Sequence, residues 1–145
     1  MKFYLAARYS RREELNAYRR DLEAKGHKVT SRWLDGTHQL GGDGLSVQAA
    51  DAERERFATE DWADLMDAHA VVNFTESPRT HAGRGGRHVE FGAALAKGKP
   101  CIVIGPRENV FHHLPHVSVR GSWWEFLATV PDITKGEYDY KRLVD

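Results

Sequence analysis

Residues 70–105 read "AVVNFTESPRTHAGRGGRHVEFGAALAKGKPCIVIG", and this stretch decides how the chain is organised. Residues 70–74 and 101–105 are short, continuous apolar runs bounded by loop residues. Runs of that length without polar alternation are strands buried on both faces. Between them lie a glycine-rich loop over 75–86 and a helical pattern of small residues over 87–98.

The same order repeats outward. "KFYLA" (2–6) reads as a buried strand. "SRREELNAYRRDLEAKG" (10–26) follows as a helix, with Leu15, Tyr18 and Leu22 at helical spacing, Ser10 able to cap its start and Gly26 its end. "HKVTSRWL" (27–34) reads as a second strand. "DGTHQLGGDGLS" (35–46) holds four glycines and reads as turns. Residues 49–67 are helical. After residue 105, "ENVFHHLPHVSVRG" (108–121) holds a short helical turn and a strand at 117–120. "SWWEFLATV" (122–130) is a last helix, and the polar tail 131–145 is irregular or only loosely docked.

Alternating strands and helices, with continuously apolar strands, imply a parallel sheet covered on both faces. With about five strands, the expected architecture is a single α/β domain over 1–145 with the flavodoxin-like doubly wound order. Ligands of such sheets bind beyond the carboxyl ends of the strands, at the switch point. That places loops 6–10 and 75–88 at the expected site.

Composition narrows the partners. With 41% hydrophobic and 29% charged residues in 145, the balance is that of a globular domain with a real core. Its 21 basic and 21 acidic side chains cancel, which argues against long nucleic acid as a partner. Cys101 is the single cysteine, so no internal disulfide forms and a reducing compartment is expected. No stretch has the length of a membrane span and the N-terminus lacks a signal-peptide pattern, so the expected location is the cytoplasm.

Four features stand out. Asp61 sits between Phe57 and Leu65 at helical spacing, in a face also assigned Ala58, Trp62 and Met66. A carboxylate there binds either loop backbone or a ligand. Glu90 falls in the first turn expected for its helix, where the dipole favours an ionised carboxylate; this is a nucleophile's need, and also an ordinary stabilising device. The loop before it matches neither a P-loop nor a dinucleotide fingerprint. Its Gly85 and Gly86 still allow close backbone approach, and Arg84, Arg87 and His88 add positive charge for an anion. Tyr4, on a central strand, needs a partner for its hydroxyl. "HHLPH" (112–116) is expected as a surface or site-rim cluster, and Trp123 and Trp124 as core and subunit contacts.

Together these features resemble the nucleoside 2-deoxyribosyltransferase family, which includes nucleoside 5'-monophosphate N-glycosidases. "GGRHVEFGAALAKGKP" is similar to the family's G-x-x-x-E-x-G-x-A-x-x-x-G-K-P, with Glu90 on the nucleophile. "FYLAARYS" resembles its first strand, with Tyr4 on the Tyr that supports this carboxylate. "DWADLMDAHAVV" resembles its helix before the third strand, with Asp61 on the site Asp and His69 where a second Asp is usual. Arg84 stands where deoxyribosyltransferases carry an acidic residue. The resemblance implies cleavage or transfer of an N-glycosidic bond through a covalent glycosyl-Glu90, with Asp61 assisting the sugar or the base and no metal or cofactor. Arg8, Tyr9, Ser10, Arg84, Gly85, Gly86, Arg87 and His88 would bind a nucleoside or its 5'-phosphate. It also implies a homodimer or larger assembly, with "ENVFHHLPH" at the shared edge and loop 35–46 as a lid. Two alternatives stay open: hydrolysis of nucleoside monophosphates, and a nucleotide-binding module without chemistry.

Overall fold

A computed structural model describes residues 1–38, 47–77 and 85–145, with residues 47–49 described by their backbone only. Five strands form one sheet: β1 (Lys2–Ala6), β2 (Lys28–Val29), β3 (Ala70–Phe74), β4 (Cys101–Ile104) and β5 (Val117–Arg120). They lie in the order β2-β1-β3-β4-β5, and every ladder is parallel. This is the flavodoxin-like order, with its switch point between β1 and β3. The helices are α1 (Arg12–Ala24), α2 (Val47–Asp67), α3 (Gly86–Ala96) and α4 (Trp123–Leu127).

Alternation along the strands divides the core. Phe3 meets Phe126 of α4 edge-on at 6.0 Å, and Phe74 stacks on Tyr18 of α1 at 5.5 Å. Tyr4, one residue on from Phe3, points the other way and reaches Glu90 of α3. Helices α1 and α4 therefore cover one face, and α2 and α3 the other. Phe3, Leu5, Val72, Phe74 and Ile102 are fully buried. Each such side chain contributes about 1.5–3 kcal/mol.

The strand expected over 27–34 is cut short for a local reason. The β2 ladder goes one step further, with Thr30 N–H donating to the Phe3 carbonyl at 2.9 Å. Ser31 then takes the place of backbone. Its hydroxyl accepts from Leu5 N–H at 2.7 Å and donates to the Leu5 carbonyl at 3.2 Å. Trp33 Nε1 donates to that same carbonyl at 2.9 Å, and the chain enters a 3-10 turn at Arg32–Asp35. Side-chain bonds of this kind compete with a ladder, and strand propensity does not register them.

Helix α1 starts at Arg12, and Ser10 lies in a 3-10 turn before it without capping it. Gly26 does end the helix, at φ 86°, and a Cβ there would meet Ile133 Cγ1 at 2.5 Å. The tail is thus seated against the first helix. Ile133 N–H donates to the Lys25 carbonyl at 3.1 Å, Leu143 is buried, and Arg120 donates to the carbonyls of Arg142 and Asp145. Specific bonds hold the segment that its polar composition leaves irregular.

The "GKP" of the signature has a structural task. Lys99 Nζ donates to the carbonyls of Leu65 at 3.1 Å and Met66 at 2.9 Å, and also to that of Ala68, closing the open end of α2. Lys99→Met keeps the aliphatic stem and removes these bonds. It should cost about 1.5–3 kcal/mol, read as a lower midpoint in thermal melts; an unchanged midpoint would mean water satisfies those carbonyls equally well.

Candidate active site

The loops after β1 and β3 open onto one cavity of about 450 Å³. Ala7, Arg8, Tyr9 and Ser10 line it from the first loop, and Gly85, Gly86, Arg87 and Glu90 from the start of α3. Phe57 and Asp61 of α2 complete one wall, and Trp33 and His38 another.

Glu90 is anchored from below. The hydroxyl of fully buried Tyr4 donates to Glu90 Oε1 at 3.0 Å. With α3 starting at Gly86, Glu90 lies in the second turn, not the first. The expectation that the helix start keeps it ionised fails with that placement. Burial, aided by the charge of Asp61, pushes its carboxyl up to about 8, while the Tyr4 hydrogen bond pulls it down. Burial first, then Glu90 and Asp61, carry the Tyr4 phenol well above its usual range.

Asp61 faces the same space from α2. The buried face of that helix carries Phe57, Asp64 and Leu65. Ala58 and Trp62, assigned to the apolar face, are exposed, Trp62 by 50%. Burial, then the neighbouring Asp64 and Glu60 carboxylates, push Asp61 up to about 7, with Arg32 pulling back. The charge of Asp61 raises Glu90, so the two carboxyls titrate as interacting groups.

The glycines behave as the sequence suggests. Gly85 takes φ 82° at the N-cap of α3, a left-handed conformation that favours glycine. A Cβ at Gly85 or Gly86 would meet nothing within 4 Å, so the backbone borders open space. His88 N–H donates to the Gly85 carbonyl at 2.9 Å, while Gly86 and Arg87, the first two residues of the helix, line the cavity.

The basic residues divide. Arg87 lines the cavity, yet its Nη1 lies 2.6 Å from Glu108 Oε2, the side chains being 7% and 9% exposed. Glu108 also accepts from the Glu76 backbone N–H, and its Oε2 lies 3.2 Å from His88 Nε2. His88 does not line the cavity. These groups tie α3 to the loop after β4, so Arg87 and His88 do not bring uncompensated charge to a ligand. Arg8, among the described residues, lines the cavity with no ion-pair partner. Arg84 and residues 39–46 of the expected lid lie outside the described residues. His112, expected at the surface or rim, is fully buried, and its Nδ1 accepts from Glu108 N–H at 3.1 Å.

Among solved structures the fold matches a 2-deoxyribosyltransferase from the psychrotolerant bacterium Bacillus psychrosaccharolyticus, with a TM-score of 0.65. The match covers 99% of this chain and 96% of that one, at 18% identity. The two chains share one fold. No protein-family model and no curated protein sequence matches the chain.

Four contributors escaped the sequence reading of the site. Trp33 falls in the strand expected over 27–34 and His38 in the glycine-rich turns of 35–46, yet both line the cavity. Phe57 was read as core, and its ring lies 4.9 Å from that of His38. Glu108 is joined to Arg87 only through the fold, since the two sit on different elements. The result is a cavity with aromatic walls and two carboxyls at neutral-range ionisation. Such a site suits a flat ring joined to a polar centre that needs both a nucleophile and an acid.

Proposed function

We infer that this chain is an N-glycosyl transferase or hydrolase acting on nucleosides or nucleotides. One observation carries the reading: two partly buried carboxyls, Glu90 and Asp61, line a single switch-point cavity, with Tyr4 bonded to Glu90. In this reading a Glu90 oxygen attacks C1' of the sugar as the C1'–N bond breaks. The electron pair of that bond goes to the base nitrogen, which takes the proton of Asp61. The transition state is oxocarbenium-like, and the product is a glycosyl ester on Glu90. A second base or water then attacks C1', giving its proton to the Asp61 carboxylate, and frees Glu90. Tyr4 holds the nucleophile in place, and Trp33 and Phe57 flank the base.

The 5'-monophosphate variant of this reading has its own support. Arg8, Ser10 and the start of α3 border the cavity together and suit a phosphate. Arg87, matched by Glu108, adds less to that than the sequence suggested. Val89, Val110 and Phe111 are 66%, 75% and 62% exposed and form the candidate edge of a homo-oligomer. Among the described residues, no helix is long and apolar enough to cross a membrane.

The test is incubation with deoxynucleosides and their 5'-monophosphates, with and without a free acceptor base. Base exchange supports a transferase, and free base without acceptor a hydrolase. Stabilisation by nucleotides with neither product would leave a binding module. The rate should be bell-shaped in pH, with limbs near 7 and 8. Below the lower limb both carboxyls hold protons and the nucleophile is lost. Between the limbs the two share one proton, which rests mainly on Glu90, and turnover draws on the arrangement with that proton on Asp61 and Glu90 ionised. Above the upper limb both are ionised and the departing base receives no proton. A rate that is flat from pH 5 to 9 would contradict the paired roles.

A further inference from the structure

Three acidic side chains of α2 crowd this corner, and two are matched by arginines. Arg32 Nη2 lies 3.0 Å from Asp64 Oδ1, and Arg32 N–H donates to Asp64 Oδ2 at 2.9 Å. Arg56 faces Glu60 at 3.6 Å. Asp61 has neither. Among the described residues, its one basic neighbour within ion-pair distance is His38.

His38 Nε2 lies 3.3 Å from Asp61 Oδ1 and 3.1 Å from Glu60 Oε2, and the His38 side chain is 4% exposed. Both His38 Nε2 and Asp61 Oδ1 are sealed from solvent, and neither makes an aligned hydrogen bond. Leaving two facing buried polar atoms unjoined is costly. The Asp61 side chain is nonetheless 28% exposed, so its open oxygen is Oδ2. The imidazole is held against Phe57, and the Thr37 hydroxyl lies 3.2 Å from its Nδ1. A hydroxyl donating to Nδ1 leaves the proton of a neutral ring on Nε2, the nitrogen facing the carboxyls. Burial favours that neutral ring.

We propose that His38 is a positioning residue for Asp61, whose Nε2–H engages Oδ1 once Asp61 has given up its proton and so holds Oδ2 toward the ligand. The proposal rests on the glycosidic reading only for the identity of the proton acceptor. The proton leaves Asp61 Oδ2 for the base nitrogen, while His38 keeps its own throughout. The charged and titratable groups facing the pair are Glu60, Asp64 and Arg56 of α2, Arg32 after β2, and Tyr4 and Glu90 across the cavity.

The experiment is a carbon-13 NMR titration of the Asp61 carboxyl in the ligand-free wild type, His38→Ala and His38→Gln, alongside the pH profile of base release. Loss of a donor to the ionised form raises a carboxyl, so Ala should move the Asp61 midpoint up by about one unit. It should also lower kcat roughly 10–100-fold with KM nearly unchanged. Gln carries an amide N–H toward the place of Nε2 and should restore both. An unmoved midpoint in Ala overturns the proposal, and so does a Gln variant that behaves like Ala. If Ala does not fold, the wild-type His38 Nε2 nitrogen resonance decides: a step at the Asp61 midpoint supports the contact, and none overturns it. The titration needs no substrate, so absence of glycosidic turnover would remove the function reading and leave His38 to be judged by NMR.

Discussion

Glu90→Gln should lower glycosidic turnover by about 10³-fold or more, and it should raise the melting temperature at pH 8. Gln keeps an oxygen that accepts from Tyr4 at the same place, so the architecture under the site is retained. It offers C1' no anionic oxygen, so the covalent step is lost. The stability effect follows from the raised carboxyl. The folded chain holds the Glu90 proton up to about pH 8, whereas the unfolded chain releases it near 4.5. The native state therefore binds more protons across that window, and stability falls as pH rises through it. Gln removes that pH-dependent loss. The gain should be roughly 3–6 °C at pH 8 and close to zero at pH 4. Retained turnover would sink the nucleophile assignment. Equal shifts at both pH values would sink the raised carboxyl.

Glu108→Ala should be the most damaging single change outside the hydrophobic core. The Arg87–Glu108 pair is almost wholly buried, and Glu108 also receives the Glu76 N–H. Taking one member from such a pair leaves the other charge in a poorly solvating place. The cost is about 3–5 kcal/mol, read as a fall in melting temperature on the order of 10 °C. Arg87→Met alongside Glu108→Ala should recover a good part of it, because the stranded charge then disappears. A double variant no more stable than Glu108→Ala would mean the pair is not what holds this loop. The variants also carry a functional readout. Arg87 is the second residue of α3 and Glu90 the fifth, so a loosened helix start should raise KM before it lowers the chemical step.

Much of the fold was legible because it depends on apolar runs and helical spacing. Strands β1, β3 and β4 lie where continuous apolar runs required them, β5 lies at the expected 117–120, and the sheet order follows from their alternation with helices. The early end of β2 was not legible, because Ser31 and Trp33 stop it with side-chain bonds to Leu5 that no periodicity encodes. Glu90 and Asp61, which the motif resemblance singles out together rather than one residue at a time, both line the cavity. Their ionisation was not visible, since it depends on burial, on the carboxylates beside Asp61 and on the charge of Asp61 facing Glu90 across two helices. The Glu108 partner of Arg87 and the approach of His38 to Asp61 are products of tertiary structure, and sequence spacing carries no trace of either.

The indole of Trp33 borders the cavity while its Nε1 is fixed to the Leu5 carbonyl. Trp123 is buried in the core, and Trp62 and Trp124 are open to water. One tryptophan of four therefore lines the cavity, in surroundings unlike those of the other three. Its emission is a built-in optical gauge of site occupancy, and Trp33→Phe supplies the blank against which any compound's quenching can be read.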